Sequence, residues 1–204
     1  MKKVLPVVAF RRLEALYDDM RSAYDKISGE LGLTCSGCPD NCCTSFFQHH
    51  TYIEWAYLWR GLSSLSQERQ DLLKIRAKEY MEGLRFWVAG GQQGSPGLMC
   101  PLNENGLCAL YGHRMMICRL HGVPNKVHMP DGRIQDFPGC FKSRELVANF
   151  SSGSIPTLDR TDFYRRLAII ERDFVGLNAL RSLARIKLTL SEFILAGPPK
   201  LRIF

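Results

Sequence analysis

Over residues 7–31 apolar side chains recur at spacings of three and four (Phe10, Leu13, Leu16, Tyr17, Met20, Tyr24, Ile27 and Leu31), while Arg, Asp and Glu occupy the intervening positions. That period predicts an amphipathic helix with one buried face, and Gly32 is placed to stop it. Residues 44–50 are short and apolar enough for one strand or an extended arm. Tyr52–Leu62, dense in Trp55, Tyr57, Leu58 and Trp59, predicts a largely buried helix. Ser64 and Gln67 have the spacing of a capping box. The helix they open carries a stripe at Leu73, Ala77, Tyr80, Leu84 and Trp87. Residues 90–97, four glycines and a proline among them, predict a loop.

The second half of the chain is less periodic. Asn105-Gly106 predicts a tight hairpin turn between Cys100 and Tyr111. Residues 111–120 fit one or two helical turns carrying Cys118. Residues 121–140 read as irregular, with a turn at Asp131-Gly132 and an edge strand over 133–137 leading to Cys140. Residues 151–156 read as a linker. Phe163, Leu167, Ile170, Phe174 and Leu177 then set another helical stripe, continued by Leu180, Leu183, Leu190 and Phe193 and stopped by Gly197-Pro198-Pro199. The expected fold is mainly α, with helices packed around an irregular, cysteine-rich metal-binding centre with short hairpins. Residues 1–150 are expected to form that domain, and 151–204 a helical extension packed on it.

Composition narrows the setting. At 204 residues, 46% hydrophobic and 23% charged, the chain can bury a real core. The N-terminal apolar run imitates a secretory signal, but it is short, holds Pro6 and meets Arg11-Arg12. No run of about 18 apolar residues exists to span a bilayer. A cytoplasmic protein is expected, where thiols stay reduced and eight cysteines point to metal rather than disulfides. The formal charge of +7 omits thiolates. One or two metal sites with four thiolates each would bring it to roughly +5 or +3. The basic residues are scattered rather than gathered among aromatics, so nucleic acid is not the expected partner.

The chemistry lies in the cysteines. Cys35, Cys38, Cys42 and Cys43 fall within nine residues, and Cys100, Cys108, Cys118 and Cys140 complete the set. Cys35 and Cys38 flank a tight turn that Gly37 and Pro39 favour, a geometry that suits a tetrahedral metal or the corner of an iron–sulfur cluster. Neighbouring side chains diverge, so Cys42 and Cys43 rarely serve one ion. Either they contribute to two nearby sites, or one ligates while the other packs as a small hydrophobe. Cys35, Cys38 and one of the vicinal pair are expected to meet at least one of the downstream four.

The pattern Cys-x2-Cys-x3-Cys-Cys, then Cys100-Pro-Leu with Gly106-Leu-Cys108-x2-Tyr111, then Arg114-x3-Cys118-Arg119, resembles the cysteine-cluster family with a zinc- or iron-chelating domain. The resemblance covers residues 35–140 and all eight cysteines. Met115 departs from it, standing where the family usually has proline. The resemblance implies metal binding, not a particular reaction. A related cysteine motif occurs in a flagellin lysine methylase, where an iron–sulfur cluster is implicated.

Zinc sites usually pair two C-x2-C knuckles, and this chain has one. Ligands drawn from distant loops inside a helical, aromatic-rich shell favour an iron–sulfur cluster, of the 4Fe-4S type, over zinc or mononuclear iron. Arg114 and Arg119, flanking Cys118, are the candidate residues beside the cofactor, balancing thiolate charge or donating to sulfur. Tyr111 could orient the same shell, though core packing is the commoner role. His49, His50, His113, His121 and His128 are weaker ligand candidates, His121 the best placed. Tyr52, Trp55, Trp59 and Trp87 read as packing, and Met115-Met116 as gap-filling core.

No catalytic constellation stands out, so whether the chain is an enzyme stays open. The expectation is an iron–sulfur redox or accessory component for a partner protein. That partner would dock on a C-terminal helix basic at Arg165, Arg166, Arg172, Arg181, Arg185 and Lys187. The alternatives are a zinc-braced interaction module and a metalloenzyme with an open metal position.

Overall fold

Gly32 ends the first helix by taking φ +66°, where its N–H reaches Gly29 O at 3.1 Å and the Leu33 N–H reaches Ser28 O at 2.8 Å. This is a Schellman-type stop, available cheaply only to glycine. The computed structural model describes residues 3–35, 42–151 and 153–201, with the side chain of Cys42 also outside the description. Among the described residues are eight α-helices and five strands of two to four residues, a mainly α fold. No helix among them is long and apolar enough to cross a membrane. The chain divides into two compact units, each assembled from separate stretches.

One unit comprises Met1–Lys3, Cys43–Met115 and Val175–Phe204. It holds α2 (Tyr52–Leu62), α3 (Gln67–Ala89), the hairpin of β1 (Asn103–Glu104) and β2 (Leu107–Cys108), α7 (Leu177–Ser182) and α8 (Leu190–Ala196). Helix α8 packs along α3. The core gathers Leu58, Leu62, Leu73, Ala77, Leu102, Leu110, Met115, Phe193 and Ile194. Trp55 stacks on Phe193 at 4.9 Å, and the Trp59 Nε1–H donates to Phe193 O at 2.8 Å. The aromatic series in α2 is therefore packing.

The other unit comprises Val4–Cys42 and Met116–Phe174. Its frame is α1 (Pro6–Leu31), against which α4 (Met116–Leu120), α5 (Phe141–Val147) and β5 (Leu158–Asp159) pack. Its three-stranded sheet has the order β4 (Ile134–Phe137), β3 (Asn125–His128), β5, with β3–β4 antiparallel and β3–β5 parallel. Helix α6 (Thr161–Val175) meets α1 through Phe10 and Phe174, ring centroids 5.9 Å apart, and through Arg12 Nη1 and Asp173 Oδ2 at 3.0 Å.

Three local expectations need correction. The cap of α3 is Ser66, whose hydroxyl accepts from the Arg69 N–H. Ser64 is occupied closing α2, donating to Gly61 O at 2.7 Å. The supposedly irregular span after residue 120 holds β3, whose residues pair one-for-one with the expected edge strand. The long C-terminal stripe is three helices. Gly176, at φ +90°, interrupts it, and Leu188 is held extended by paired hydrogen bonds with His49 at 2.7 and 3.2 Å. Leu177, counted in the stripe, is 52% exposed.

Candidate metal centre

The hairpin that carries two of the cysteines is set by its turn. Asn105 at φ +52° and Gly106 at φ +86° form the doubly left-handed connection that matches strand twist. Asn103 Oδ1 accepts from the Gly106 N–H at 3.1 Å. Buried Leu102 and Leu110 anchor the two arms, and the Ala109 N–H donates to Leu102 O at 2.7 Å. The Cys100 N–H donates to Cys43 O at 2.9 Å, so the short 3-10 turn Cys42–Thr44 lies against the base of the hairpin.

Cys43, Cys100 and Cys108 thus come from distant parts of the sequence into one neighbourhood. Burial pushes the Cys100 thiol up to about 12; the Leu102 backbone N–H opposes this, and the charges of Cys43 and Cys108 add to it. A buried thiol whose ionisation two neighbouring sulfurs make costlier is one that a cation would stabilise as thiolate, because a thiolate ligates and a thiol does not. Tyr80 borders the same set: burial raises its phenol, and Cys100 and then Glu192 raise it further.

In the second unit two glycines, Gly122 and Gly139, set Cys140 beside the loop after Cys118. Cys118 lies on α4, whose end is marked by the His121 N–H donating to Ile117 O at 3.0 Å. The Cys140 N–H donates to Gly122 O, also at 3.0 Å, which ties Cys140 to the loop just past Cys118. Gly139 makes the approach possible: at φ +79°, a Cβ there would stand 2.4 Å from Gly122 O. Lys142 Nζ donates to Thr34 O at 2.8 Å, bringing the residue before Cys35 to α5. Cys35 is exposed, while Cys118 and Cys140 are half-buried.

The unit boundary falls between Cys42 and Cys43. Cys38 lies outside the described residues, as does the side chain of Cys42. Among the described residues no three His, Cys, Asp or Glu side chains converge to metal-holding distance. Cys43 and Cys108 are each within electrostatic reach of Cys100 without the three being closed around a point. The donor chemistry fits a thiophilic metal or an iron–sulfur cluster, since every candidate in this set is sulfur.

The two candidate arginines separate. Arg114 stacks on Tyr111, its Cζ 3.7 Å from the ring centroid, in the first unit. Arg119 is buried on Tyr17 at 4.0 Å in the second. Tyr111 is 56% exposed and serves as the platform for Arg114 rather than as core.

The histidines also find separate places. His49 is buried against Phe193, where burial first and then the charge of His50 lower its pKa to about 3. His50 Nδ1 lies 3.0 Å from Ile186 O, and His113 packs on the Tyr57 ring at 4.7 Å. His128 faces Asp159 at 3.2 Å, and His121 sits between Cys118 and the Gly122 contact. Sequence reasoning passed over Tyr80 beside Cys100. Its helical spacing with Leu73 and Ala77 marked it only as part of a packing stripe.

No family model, curated protein or solved structure matches the chain.

Proposed function

We propose that this chain is a cysteine-cluster protein that binds metal through its thiolates, an iron–sulfur cluster being the favoured group, and serves a partner protein as a redox or accessory component in the cytoplasm. The observation that carries the reading is the gathering of Cys43, Cys100 and Cys108, joined at the backbone by the Cys100 N–H to Cys43 O bond. In support, the Cys140 N–H bond to Gly122 O sets Cys140 beside the loop after Cys118, and Lys142 reaches Thr34, the residue before Cys35. When bound, an iron–sulfur cluster would supply one-electron transfer. The chain's part is to hold the sulfurs: the hairpin fixes Cys100 and Cys108, and the Leu102 N–H points at the Cys100 sulfur.

The basic residues proposed to dock a partner do not share one helix. Arg166 pairs with Asp19 and Arg172 with Asp173, whereas Arg181 lies on α7 and Arg185 and Lys187 on the extended segment after it. The last three are exposed and remain the better docking candidates.

Anaerobic purification with metal and sulfide analysis and a visible spectrum tests the proposal. A brown protein with iron and labile sulfide supports the cluster. A colourless protein with stoichiometric zinc moves the function to a zinc-braced interaction surface. A colourless protein without metal overturns the reading.

A further inference from the structure

Arg160 is a buried cation with no counter-ion among the described residues. Arg160 stands between β5 and α6. Its N–H donates to Lys126 O at 3.0 Å, extending the β3–β5 ladder by one residue, and its carbonyl accepts from the Tyr164 N–H at 3.1 Å in the first turn of α6. Strand alternation places it on the sheet face of Leu158, opposite Asp159. Arg160 is 5% exposed, and its Cζ lies 3.7 Å from the Phe137 ring centroid and 5.3 Å from that of Tyr164.

Among the described residues no hydrogen bond or ion pair reaches this guanidinium, and its Nε is buried with no acceptor. The Asp159 carboxylate is engaged elsewhere, accepting from the Thr161 N–H at 2.9 Å and facing His128. Stacking on aromatic faces offsets part of the cost of burying the charge. It satisfies none of the five N–H donors, which lie in the guanidinium plane. A buried charge without a partner is costly to keep. Burial accordingly pulls the Arg160 pKa below its ordinary value.

We propose that Arg160 anchors an oxyanion site that takes one phosphate or carboxylate group in the plane of its guanidinium, with Phe137 and Tyr164 holding the guanidinium in place. Planar, bidentate recognition of such groups is what arginine does and lysine does not. Tyr164, 37% exposed, gives the site its edge on solvent. The site stands independently of the cysteine reading.

The test is thermal unfolding of the full chain, as purified, in rising sodium phosphate or sodium acetate against sodium chloride at matched ionic strength, with equilibrium dialysis of radiolabelled phosphate as a second readout. Wild type is expected to show a saturable rise in Tm with phosphate or acetate and none with chloride; which anion acts names the source. Arg160→Met should abolish the rise, and Arg160→Lys, which keeps the charge and serves if the Met variant does not fold, should weaken binding at least severalfold. Identical melting of wild type in all three salts with no saturable phosphate uptake overturns the proposal. So does a full shift retained in Arg160→Met, or in Arg160→Lys if the Met variant does not fold.

Discussion

Cys100 donates its backbone N–H to the carbonyl oxygen of Cys43 across 2.9 Å, and that bond brings the last cysteine of the early group beside the first of the late one. If these thiols ligate, Cys100→Ser should release part of the metal and bleach the corresponding part of the visible spectrum, while far-ultraviolet circular dichroism stays near wild type. Cys35→Ser, in the other unit, should act separately on metal content. Retention of full metal and spectrum in both variants would sink the assignment.

His49 makes stability depend on pH. Its folded pKa of about 3 lies below the ordinary histidine value of 6.5, so the unfolded chain binds the extra proton as pH falls. Its contribution is fully present above pH 6.5 and is lost progressively towards pH 3, with a slope of up to about 1.4 kcal/mol per pH unit. Urea denaturation at a series of pH values should show this slope in wild type, and His49→Gln should flatten it.

Phe193 closes the core of the first unit. It is fully buried, stacks on Trp55, and its carbonyl accepts from Trp59. Phe193→Ala should cost about 3–5 kcal/mol by leaving a cavity. Chemical denaturation measures it; a loss below about 1 kcal/mol would mean the site collapses to fill the space.

Gly139 tolerates no side chain. A Cβ would meet Gly122 O at 2.4 Å and Ser143 Oγ at 2.8 Å, on a backbone already at φ +79°. Gly139→Ala should exceed the about 1–2 kcal/mol of a left-handed residue alone, because two of the close atoms, Gly122 O and Val123 C, are backbone. It should also displace Cys140, so metal content is the second readout. A variant as stable as wild type would show that the loop relaxes freely.

Much of the fold was legible because it is local. The period of α1, the stop at Gly32, the limits of α2 and the Asn105-Gly106 turn depend on neighbours within a few residues, and the structure has them where the sequence puts them. The misread positions had a distant competitor. Ser64 looked like a cap until Gly61 O took its hydroxyl. The C-terminal stripe looked continuous because Leu183 and Leu190 kept helical spacing, yet the intervening backbone bonds to His49 instead. Asn125–His128 gave little strand signal, since of its two buried, alternating positions Asn125 is polar and only Val127 is apolar.

The candidate site divides in the same way. Eight cysteines and their spacing are written in the sequence, and with them the sulfur chemistry, because side-chain type alone makes a soft donor. Which thiols become neighbours was a tertiary decision. Cys43 reaches Cys100 through a backbone bond, and Cys140 reaches the loop after Cys118 through a carbonyl that only a glycine at 139 can approach. The same holds for Arg160: its charge was visible in the sequence, but its burial without a counter-ion among the described residues was not. Burial and partnership depend on what the rest of the chain brings alongside, and no local pattern encodes that.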